Sequence, residues 1–305
     1  MTELGAAPSE ADVLATIPAA DLIRAWRQDF GIDVAHLFEG IAQIEMRRDQ
    51  TTGRIDFLPR VLGDAPFYQA LRRFEWYHPS RKLEHVHAAS LAKPGQRVLD
   101  IGAGNGDFAT YLTGVDYVGL EQDEAAVGAA RARGLNLQTG SIAAWRGSAT
   151  ARLADLVTAF QVLEHVPDPK AFLGDLKSCL APEGRLIIGV PDADSYVSRV
   201  PDLMLNAPPH HVTWWTEASL RASLQRAGLE VLNVKRFPVE PWEYQLWWMA
   251  KFSNWMGRSQ RAHFGAGLRV RKVVSYALSW PLQGVAPPTA AQGSTVLVEA
   301  RHAGA

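Results

Sequence analysis

One stretch of the sequence combines the residue types that hold a nucleotide-like ligand. Residues 97–107 read Arg-Val-Leu-Asp-Ile-Gly-Ala-Gly-Asn-Gly-Asp, an apolar strand pattern that runs directly into a glycine-rich turn. A turn of this kind before a helix brings backbone N–H groups and the helix N-terminus close to a ligand. Glu121 follows Gly102 by nineteen positions, where the tip of the next strand would offer an acid to the two hydroxyls of a ribose. The pattern therefore predicts a site for a nucleoside-containing cofactor.

The residue at the third glycine position argues against a dinucleotide. The dinucleotide fingerprint is Gly-x-Gly-x-x-Gly, and its last glycine packs beside a pyrophosphate. This chain has Asp107 at that position and Gly106 one place earlier. A carboxylate repels a pyrophosphate but does not repel a cationic ligand. The segment 98–106 resembles motif I of the class I methyltransferases, whose cofactor S-adenosylmethionine (SAM) carries a sulfonium and an ammonium group.

The resemblance implies a set of cofactor-binding residues at the ends of the first four core strands. Asp100 would orient the methionine ammonium, and Glu121 would accept hydrogen bonds from the ribose. Gln122 would lie against the adenine, as would Ser141 and Ile142, with Ser141 standing where relatives have an acid. The full set expected to contact SAM is Asp100, Gly102, Ala103, Gly104, Gly106, Glu121, Gln122, Ser141, Ile142, Phe160 and Gln161.

A second chemically capable segment follows the strand pattern 156–160. Residues 161–169, Gln-Val-Leu-Glu-His-Val-Pro-Asp-Pro, resemble the segment after the fourth strand in quinone-biosynthesis O-methyltransferases and in the methyltransferase-23 group. Ligands of open parallel sheets bind outside the carboxyl ends of the strands, so Phe160 and Gln161 should face the methionine end of SAM. His165 can take a proton from an acceptor hydroxyl. The alternative is that Glu164 and His165 only position the loop.

The resemblance also raises the question of a metal. In the quinone-type enzymes the glutamate equivalent to Glu164 has a metal-linked role. No second acid pattern accompanies Glu164 in this sequence, and we predict no metal ligands.

A third candidate is the proline-bounded segment 208–216, Pro-Pro-His-His-Val-Thr-Trp-Trp-Thr. It follows the next strand pattern, so His210 and His211 should reach the same sheet edge and can meet an acceptor hydroxyl. Alternatively, one histidine binds backbone carbonyls and the tryptophans only pack. We predict a catalytic role for His165, His210 and His211 as proton acceptors.

Composition excludes several classes of protein. The chain has 305 residues, 47% hydrophobic and 21% charged, and a formal net charge of −1, which does not favour a nucleic-acid partner. The Asp/Asn-Pro-Pro-Tyr signature of base N-methyltransferases is absent. Cys179 is the only cysteine, so the chain forms no internal disulfide, and we expect a cytoplasmic protein. We see no signal peptide and no apolar run long enough to span a membrane.

Residues 243–292 have an unusual composition. No acid occurs between Glu243 and Glu299, six cations do, and half of the ten tryptophans lie between 242 and 280. Two helices are predicted, with Tyr244, Trp248, Phe252 and Trp255 on one face of the first and Val270, Val273, Val274 and Ala277 on one face of the second. The segment is a lid packed on the sheet with its cations outside, a peripheral contact of 243–280 with the inner face of a membrane, or a pocket for a phosphorylated acceptor.

The remaining patterns predict the fold. Strand and helix signals alternate from about 97 to 190, which is typical of an α/β, Rossmann-like, doubly wound and mostly parallel sheet. Runs 231–237 and 295–300 should pair as a closing antiparallel hairpin. We expect an N-terminal, mostly helical cap at 1–84, with residues 12–30 forming two helical pieces, and a methyltransferase domain at 85–305 with a C-terminal helical insertion at 238–292.

Together these observations predict a SAM-dependent O-methyltransferase. Its acceptor would be a small molecule with a hydroxyl group, either a sugar or glycan intermediate or a lipid-linked phenol. One alternative is a membrane-associated partner that binds SAM without catalysis. Another is a nicotinamide dehydrogenase, which Asp107 disfavours. The sequence does not indicate an oligomeric state.

Overall fold

The computed structural model describes residues 13–74, 82–149, 151–256, 264 and 266–304. The strands are β1 (Val13–Pro18), β2 (Gln43–Arg48), β3 (Ile55–Leu58), β4 (Arg97–Ile101), β5 (Asp116–Glu121), β6 (Leu137–Thr139), β7 (Ala154–Phe160), β8 (Leu180–Pro191), β9 (Thr213–Trp214), β10 (Leu229–Pro238) and β11 (Gln292–His302). The α-helices are α1 (Ala19–Phe30), α2 (Ala65–Leu71), α3 (Leu83–Ala89), α4 (Glu124–Ala132), α5 (Ile142–Arg146), α6 (Pro169–Ser178), α7 (Glu217–Arg226), α8 (Tyr244–Trp255) and α9 (Ala266–Ser279).

The larger sheet has seven strands in the order β10-β11-β8-β7-β4-β5-β6. The five strands β8, β7, β4, β5 and β6 are parallel to one another. Strand β11 runs antiparallel to both of its neighbours, β8 and β10. The chain leaves β4 towards one edge and returns to β7 on the other side, so the ends of β4 and β7 form a topological switch point. The Rossmann-like sheet and its closing antiparallel hairpin are confirmed.

Local sequence explains where the core helices begin. Asp123, Asp168 and Thr216 each accept a hydrogen bond from a backbone N–H in the first turn of α4, α6 and α7, as helix N-caps do. Pro169 occupies the first position of α6, where its missing N–H costs nothing. The central strand β7 is mostly apolar and almost completely buried, as expected for a parallel strand covered on both faces.

The N-terminal part is not mostly helical, contrary to our expectation. Where two helical pieces were expected in 12–30, residues 13–18 form a strand and 19–30 form one helix. Four antiparallel strands in the order β1-β2-β3-β9 build a second sheet. The apolar positions of β1 also fit helical spacing, but Ile17 pairs with Ile44 of β2, and this distant pairing decides the conformation. The short strand β9 belongs to the segment that carries His210 and His211, so this sheet is joined to the candidate site.

Helices α8 and α9 occupy the predicted insertion and pack against each other. The face of α8 that packs inward contains Trp247, Met249, Ala250 and Ser253, while Trp255 is 80% exposed. The predicted apolar face of α8 is therefore wrong in detail. The valines of α9 form the predicted face, but that face is turned to solvent, with Val270 72% and Val273 66% exposed. Among the described residues, none of the helices has the length and apolarity that crossing a bilayer requires.

Candidate functional site

The glycine-rich turn after β4 leaves room for a ligand at one position. Gly102 and Gly104 have φ values of 71° and 54°, in the left-handed region that favours glycine. A Cβ atom on Gly102 would lie 2.4 Å from the Cγ2 atom of Val162. A Cβ atom on Gly104 would have no described atom within 4 Å, so this backbone faces open space. The turn therefore forms a cradle that a side chain at 104 would fill, as the resemblance to motif I implies.

Glu121 holds this cradle in place. Its Oε2 atom accepts a hydrogen bond from the Gly104 N–H (2.9 Å), and its Oε1 atom accepts from the N–H groups of Gln122 (2.7 Å) and Asp123 (3.0 Å). The carboxylate is thus fixed at the tip of β5 beside the open space, and Oε2, which accepts only one hydrogen bond here, retains acceptor capacity. This is the position that the sequence predicted for an acid facing a ribose.

Asp100 is 2% exposed at the end of β4. It accepts hydrogen bonds from Thr158 Oγ1 (2.7 Å) and from the Tyr117 hydroxyl (2.9 Å). Burial raises the pKa of Asp100 to about 7, against the effect of these two hydrogen bonds. A cationic group placed beside Asp100 would favour its ionised form.

The other predicted cofactor residues reach the same place, with one exception. Ser141 caps α5 by accepting from the Ala144 N–H (3.2 Å). Gln161 adopts a left-handed backbone (φ 56°), and its amide donates to Glu84 Oε2 at 3.2 Å. Gly106 instead faces away from the open space, because its Cβ would lie 2.8 Å from Leu135.

A single cavity of about 1140 Å³ connects these residues with the three histidines. Its wall includes Asp100, Gly102, Ala103, Gly104, Glu121, Gln122, Ser141, Ile142, Phe160, Gln161, His165, His210 and His211. The cavity lies at the carboxyl ends of β4, β5 and β7, which is where ligands of open α/β sheets bind. Its volume exceeds that of a typical small-molecule pocket, so it has space for two ligands.

The three histidines form one cluster, which we call the histidine cluster (His165, His210 and His211). The ring of His165 lies 4.6 Å from that of His210 and 4.9 Å from that of His211, centroid to centroid. The rings of His210 and His211 are stacked at 4.5 Å. The sequence predicted that these residues reach the same sheet edge, and the structure brings them into contact.

Each histidine has its Nδ1 atom next to an oxygen acceptor. The partners are the carbonyl of His210 for His165 (2.6 Å), the carbonyl of Leu205 for His210 (2.7 Å) and Oδ1 of Asn206 for His211 (3.0 Å). A carbonyl oxygen can only accept, so Nδ1 carries the proton and Nε2 carries the lone pair in the neutral ring. Burial lowers the pKa of His165 to about 4 and places the pKa values of His210 and His211 well below their usual range. All three rings are therefore neutral at pH 7.

Glu164 lies beneath the histidine cluster with 1% of its surface exposed. Its Oε1 atom is 3.8 Å from Nε2 of His165 and 3.9 Å from Nε2 of His211. Neither carboxylate oxygen makes a hydrogen bond with another described residue. Burial raises the pKa of Glu164 to about 8. A buried, unbonded carboxyl group is costly, which marks this position as one with a task beyond packing.

Backbone hydrogen bonds bring the two histidine segments together. The N–H of Val212 donates to the carbonyl of Glu164 (2.9 Å). The N-terminal part holds the other side of the loop, where Trp26 donates its indole N–H to the Pro208 carbonyl (2.8 Å). The smaller sheet and α1 therefore position the histidine cluster.

Several residues of the cavity wall carry no recognisable signal in the sequence. Tyr68 of α2 has its hydroxyl 3.4 Å from Nδ1 of His165, and Glu84 of α3 contacts Gln161. Farther along the wall, Glu243 accepts a hydrogen bond from the Tyr196 hydroxyl (2.9 Å). These side chains reach the site through tertiary packing of helices whose own patterns indicate only helix, so sequence spacing could not have identified them.

Known proteins include several that are similar to this chain. A SAM-dependent methyltransferase from Thermotoga maritima aligns with a TM-score of 0.45 and 19% identity, over 77% of this chain and 92% of that protein. The ubiquinone biosynthesis O-methyltransferase of Xanthomonas axonopodis pv. citri is 30% identical over 181 residues, which are 53% of this chain and 73% of the relative. The corresponding enzyme of Marinobacter nauticus is 25% identical over 195 residues, 54% of this chain and 81% of the relative.

The family match covers both the glycine turn and the histidine cluster. Residues 72–234 match the model of the methyltransferase-23 family, described as a methyltransferase domain. This range contains the glycine turn, Glu121 and the whole histidine cluster. The open cradle at Gly104 and the fixed carboxylate of Glu121 fit the cofactor of this family. The chain therefore belongs to the methyltransferase-23 family of SAM-dependent methyltransferases, and S-adenosylmethionine is its cofactor.

Proposed function

We propose that this protein methylates a hydroxyl group of a small molecule, and that the histidine cluster takes up the proton of that hydroxyl. The observation that carries the proposal is the shared cavity, in which the glycine cradle and the histidine cluster face one space large enough for cofactor and acceptor. When bound, SAM supplies an electrophilic methyl group. The protein must then hold an acceptor beside it and accept a proton.

We assign SAM to the end of the cavity formed by β4 and β5. Gly104 allows close approach of the backbone, and Glu121 would accept hydrogen bonds from the ribose hydroxyls. Asp100 would face the methionine ammonium, with Phe160 and Gln161 nearby. The left-handed backbone of Gln161 supports this assignment, since strained residues cluster at functional sites.

His165 is the best candidate for the proton acceptor. Its Nδ1–H is held by the His210 carbonyl, so the lone pair of Nε2 is oriented by the protein. Burial makes this imidazole a weak base, which takes the proton of a phenol more readily than that of an alkanol because the phenol is the stronger acid. Of the two acceptor classes indicated by the sequence, a phenol therefore fits better than a sugar.

The exposed face of α8 and α9 favours an acceptor carried on a lipid. Trp255, Val270, Val273 and Trp280 present apolar surface to solvent. Trp242, 46% exposed, lines the cavity at the start of this insertion. We infer that this face docks on a membrane surface, with the aromatic rings at the headgroup level, so that a lipid-linked phenol enters the cavity from the bilayer.

The docking would be apolar rather than electrostatic. The described cations of α9 are engaged with the protein, not directed outward. Their partners are Gln28 for Arg269, the Ser253 carbonyl for Arg271 (3.1 Å), and Asp29 and the Asp202 carbonyl (2.9 Å) for Lys272. Lys251 lies 4.7 Å above the ring of Trp247. Arg258 and Arg261, which the sequence analysis counted among the cations, lie outside the described residues.

A labelling experiment tests the proposal. The protein is incubated with methyl-labelled SAM and a lysate of the source cells, and the products are partitioned between water and chloroform. A Gly104→Arg variant, whose side chain fills the cradle, serves as the blank. We expect label in chloroform with the wild-type protein only. Label confined to water would favour a soluble sugar acceptor. Label at the blank level in both phases, with SAM still bound, would favour a non-catalytic SAM-binding partner.

A further inference from the structure

The histidine cluster and Glu164 have a second chemical capability that the sequence analysis did not predict. One nitrogen from each of the three rings lies within 4.8 Å of the corresponding nitrogens of the other two. Glu164 adds a carboxylate whose Oε1 is 3.8 Å from Nε2 of His165 and 3.9 Å from Nε2 of His211. We propose that these four side chains form a binding site for a divalent transition-metal ion of the zinc class.

The orientation of the rings is the first argument. A histidine that binds a metal through one nitrogen usually donates the N–H of its other nitrogen to a carbonyl or carboxylate. All three rings of the histidine cluster have this arrangement, with Nδ1 held by the carbonyls of His210 and Leu205 and by Asn206 Oδ1. In this tautomer the lone pair of each ring is on Nε2. Three separate acceptors hold three adjacent imidazole rings in one tautomer, and close packing alone does not require this.

Glu164 supplies the second, independent argument. Its carboxyl group is almost completely buried, and neither oxygen makes a hydrogen bond with another described residue. Buried polar groups in native proteins nearly always have partners, and an unbonded one calls for an unseen ion or water. The group lies beside two of the three imidazoles, so a cation among them would satisfy it.

The donor set selects the kind of cation. Imidazole nitrogens suit zinc, copper, iron and nickel, whereas magnesium and calcium prefer oxygen ligands. Three histidines, with or without a carboxylate, are a typical ligand set of catalytic zinc, which keeps one position open for water or substrate. Zinc–nitrogen bonds of about 2.0–2.1 Å place tetrahedral ligand atoms roughly 3.4 Å apart. One nitrogen of each of the three histidines lies within 4.8 Å of a nitrogen of the other two, so small rotations of the rings would bring nitrogen atoms to this spacing.

The proposed metal site extends the proposed function. Only the catalytic role of the cation rests on that function, whereas the binding of the cation does not. An open coordination position in this part of the cavity would bind the oxygen of an acceptor hydroxyl and lower its pKa, as bound zinc does for water. The cation would make the hydroxyl more acidic, and the released proton would leave to solvent water, because the lone pair of His165 would then be bound to the cation. Binding of the cation itself can be measured without SAM or acceptor.

Cobalt(II) is the probe that tests the site, because its visible spectrum reports the coordination geometry. Untagged, chelator-treated protein is titrated with CoCl₂ in the absence of SAM, and bound cobalt is then displaced with ZnCl₂. We expect one Co²⁺ per chain, the intense visible bands of a four- or five-coordinate ion, and displacement by Zn²⁺, which binds such sites more tightly. Absence of these bands in the wild-type protein would overturn the proposal whatever the variants do.

Variants separate coordination from adventitious binding. His211→Gln removes a ligand, and Asn206→Leu removes only the acceptor that orients His211. We expect each to weaken Co²⁺ binding by at least about 10-fold, the usual effect of losing an orienting partner. His302→Gln changes a histidine at the end of strand β11 that lines no part of the cavity; it is the matched control and should bind as the wild type does. Equal affinity in His211→Gln and His302→Gln, with circular dichroism spectra unchanged, would refute the assignment.

Discussion

The pH dependence of cofactor binding follows from the environment of Asp100. Its carboxyl group is buried, with a pKa of about 7, and it lies where we place the methionine ammonium. A cation binds the ionised carboxylate in preference to the neutral acid, so the apparent affinity scales with the ionised fraction. With a pKa of about 7, that fraction is roughly 0.09 at pH 6 and roughly 0.91 at pH 8. We expect binding to strengthen about 10-fold between these pH values.

Isothermal titration calorimetry with S-adenosylhomocysteine, which keeps the ammonium and does not react, measures this effect. Asp100→Asn removes the titration while keeping the size of the side chain. Because the ligand's own ionisation affects both proteins equally, the ratio of the two dissociation constants isolates Asp100. We expect this ratio to change about 10-fold from pH 6 to pH 8. Asp107→Asn, an exchange at a more exposed acid of the same turn, should keep the wild-type pH profile.

Two outcomes would refute the reasoning about Asp100. The first is an unchanged ratio of dissociation constants across this pH range. The second is a weakening of wild-type binding as the pH rises, because the sign is fixed by the raised pKa: the ionised fraction can only increase with pH.

Further predictions concern the cradle, the ribose acid and the exposed face. In urea unfolding, Gly102→Ala and Gly104→Ala should each lose about 1–2 kcal/mol of stability because alanine disfavours the left-handed backbone. Gly102→Ala should lose roughly 1–3 kcal/mol more because its Cβ overlaps Val162, and adding Val162→Ala should recover this second loss. Equal losses of stability in the two single variants would contradict the close contact. Glu121→Gln should weaken SAM binding at least about 10-fold, as expected for a lost charge-assisted hydrogen bond, with calorimetry as the readout and unchanged affinity as the contrary result. Trp255→Ser should leave the melting temperature unchanged because the side chain is 80% exposed. The same variant should sediment less with phospholipid vesicles than the wild type does. Strongly salt-dependent binding of the wild type to the vesicles would instead indicate an electrostatic contact.

The parallel core could be predicted because its signals are local. Strands β4, β7 and β8 are rich in apolar residues, and the helices after β5, β7 and β9 begin at capping residues that can be identified in the sequence. The glycine turn and Glu121 are also separated by a fixed, short distance along the chain. These features need no knowledge of tertiary contacts, and the family match confirms the cofactor that they indicated.

The predictions from sequence failed where contacts between distant parts of the chain determine the structure. Residues 13–18 have apolar spacing compatible with a helix, and only pairing with β2, about thirty residues away, makes them a strand. The valines of α9 were correctly placed on one face, but periodicity cannot say whether that face points to the core or to solvent. In the structure the cations of α9 contact the N-terminal part and its surroundings, which turns the valines outward.

The histidine cluster illustrates the same limit at the site. His165 and His210 are 45 positions apart, and the sequence indicated only that both follow core strands. Their contact depends on the hydrogen bond between Val212 and Glu164 and on the anchoring of the loop by Trp26. The expectation of no metal ligands came from looking for a second acid near Glu164. The additional donors that we propose are instead imidazoles from another loop.

The most direct test of the account is methyl transfer by a His165→Gln variant at saturating SAM. The central claim is that the histidine cluster removes the acceptor proton in a cavity shared with the cofactor. We predict that labelled methyl transfer to the extracted acceptor falls at least about 100-fold relative to the wild type, while the dissociation constant for SAM changes less than about twofold. Transfer at the wild-type rate by His165→Gln, with SAM binding equally intact, would contradict the account.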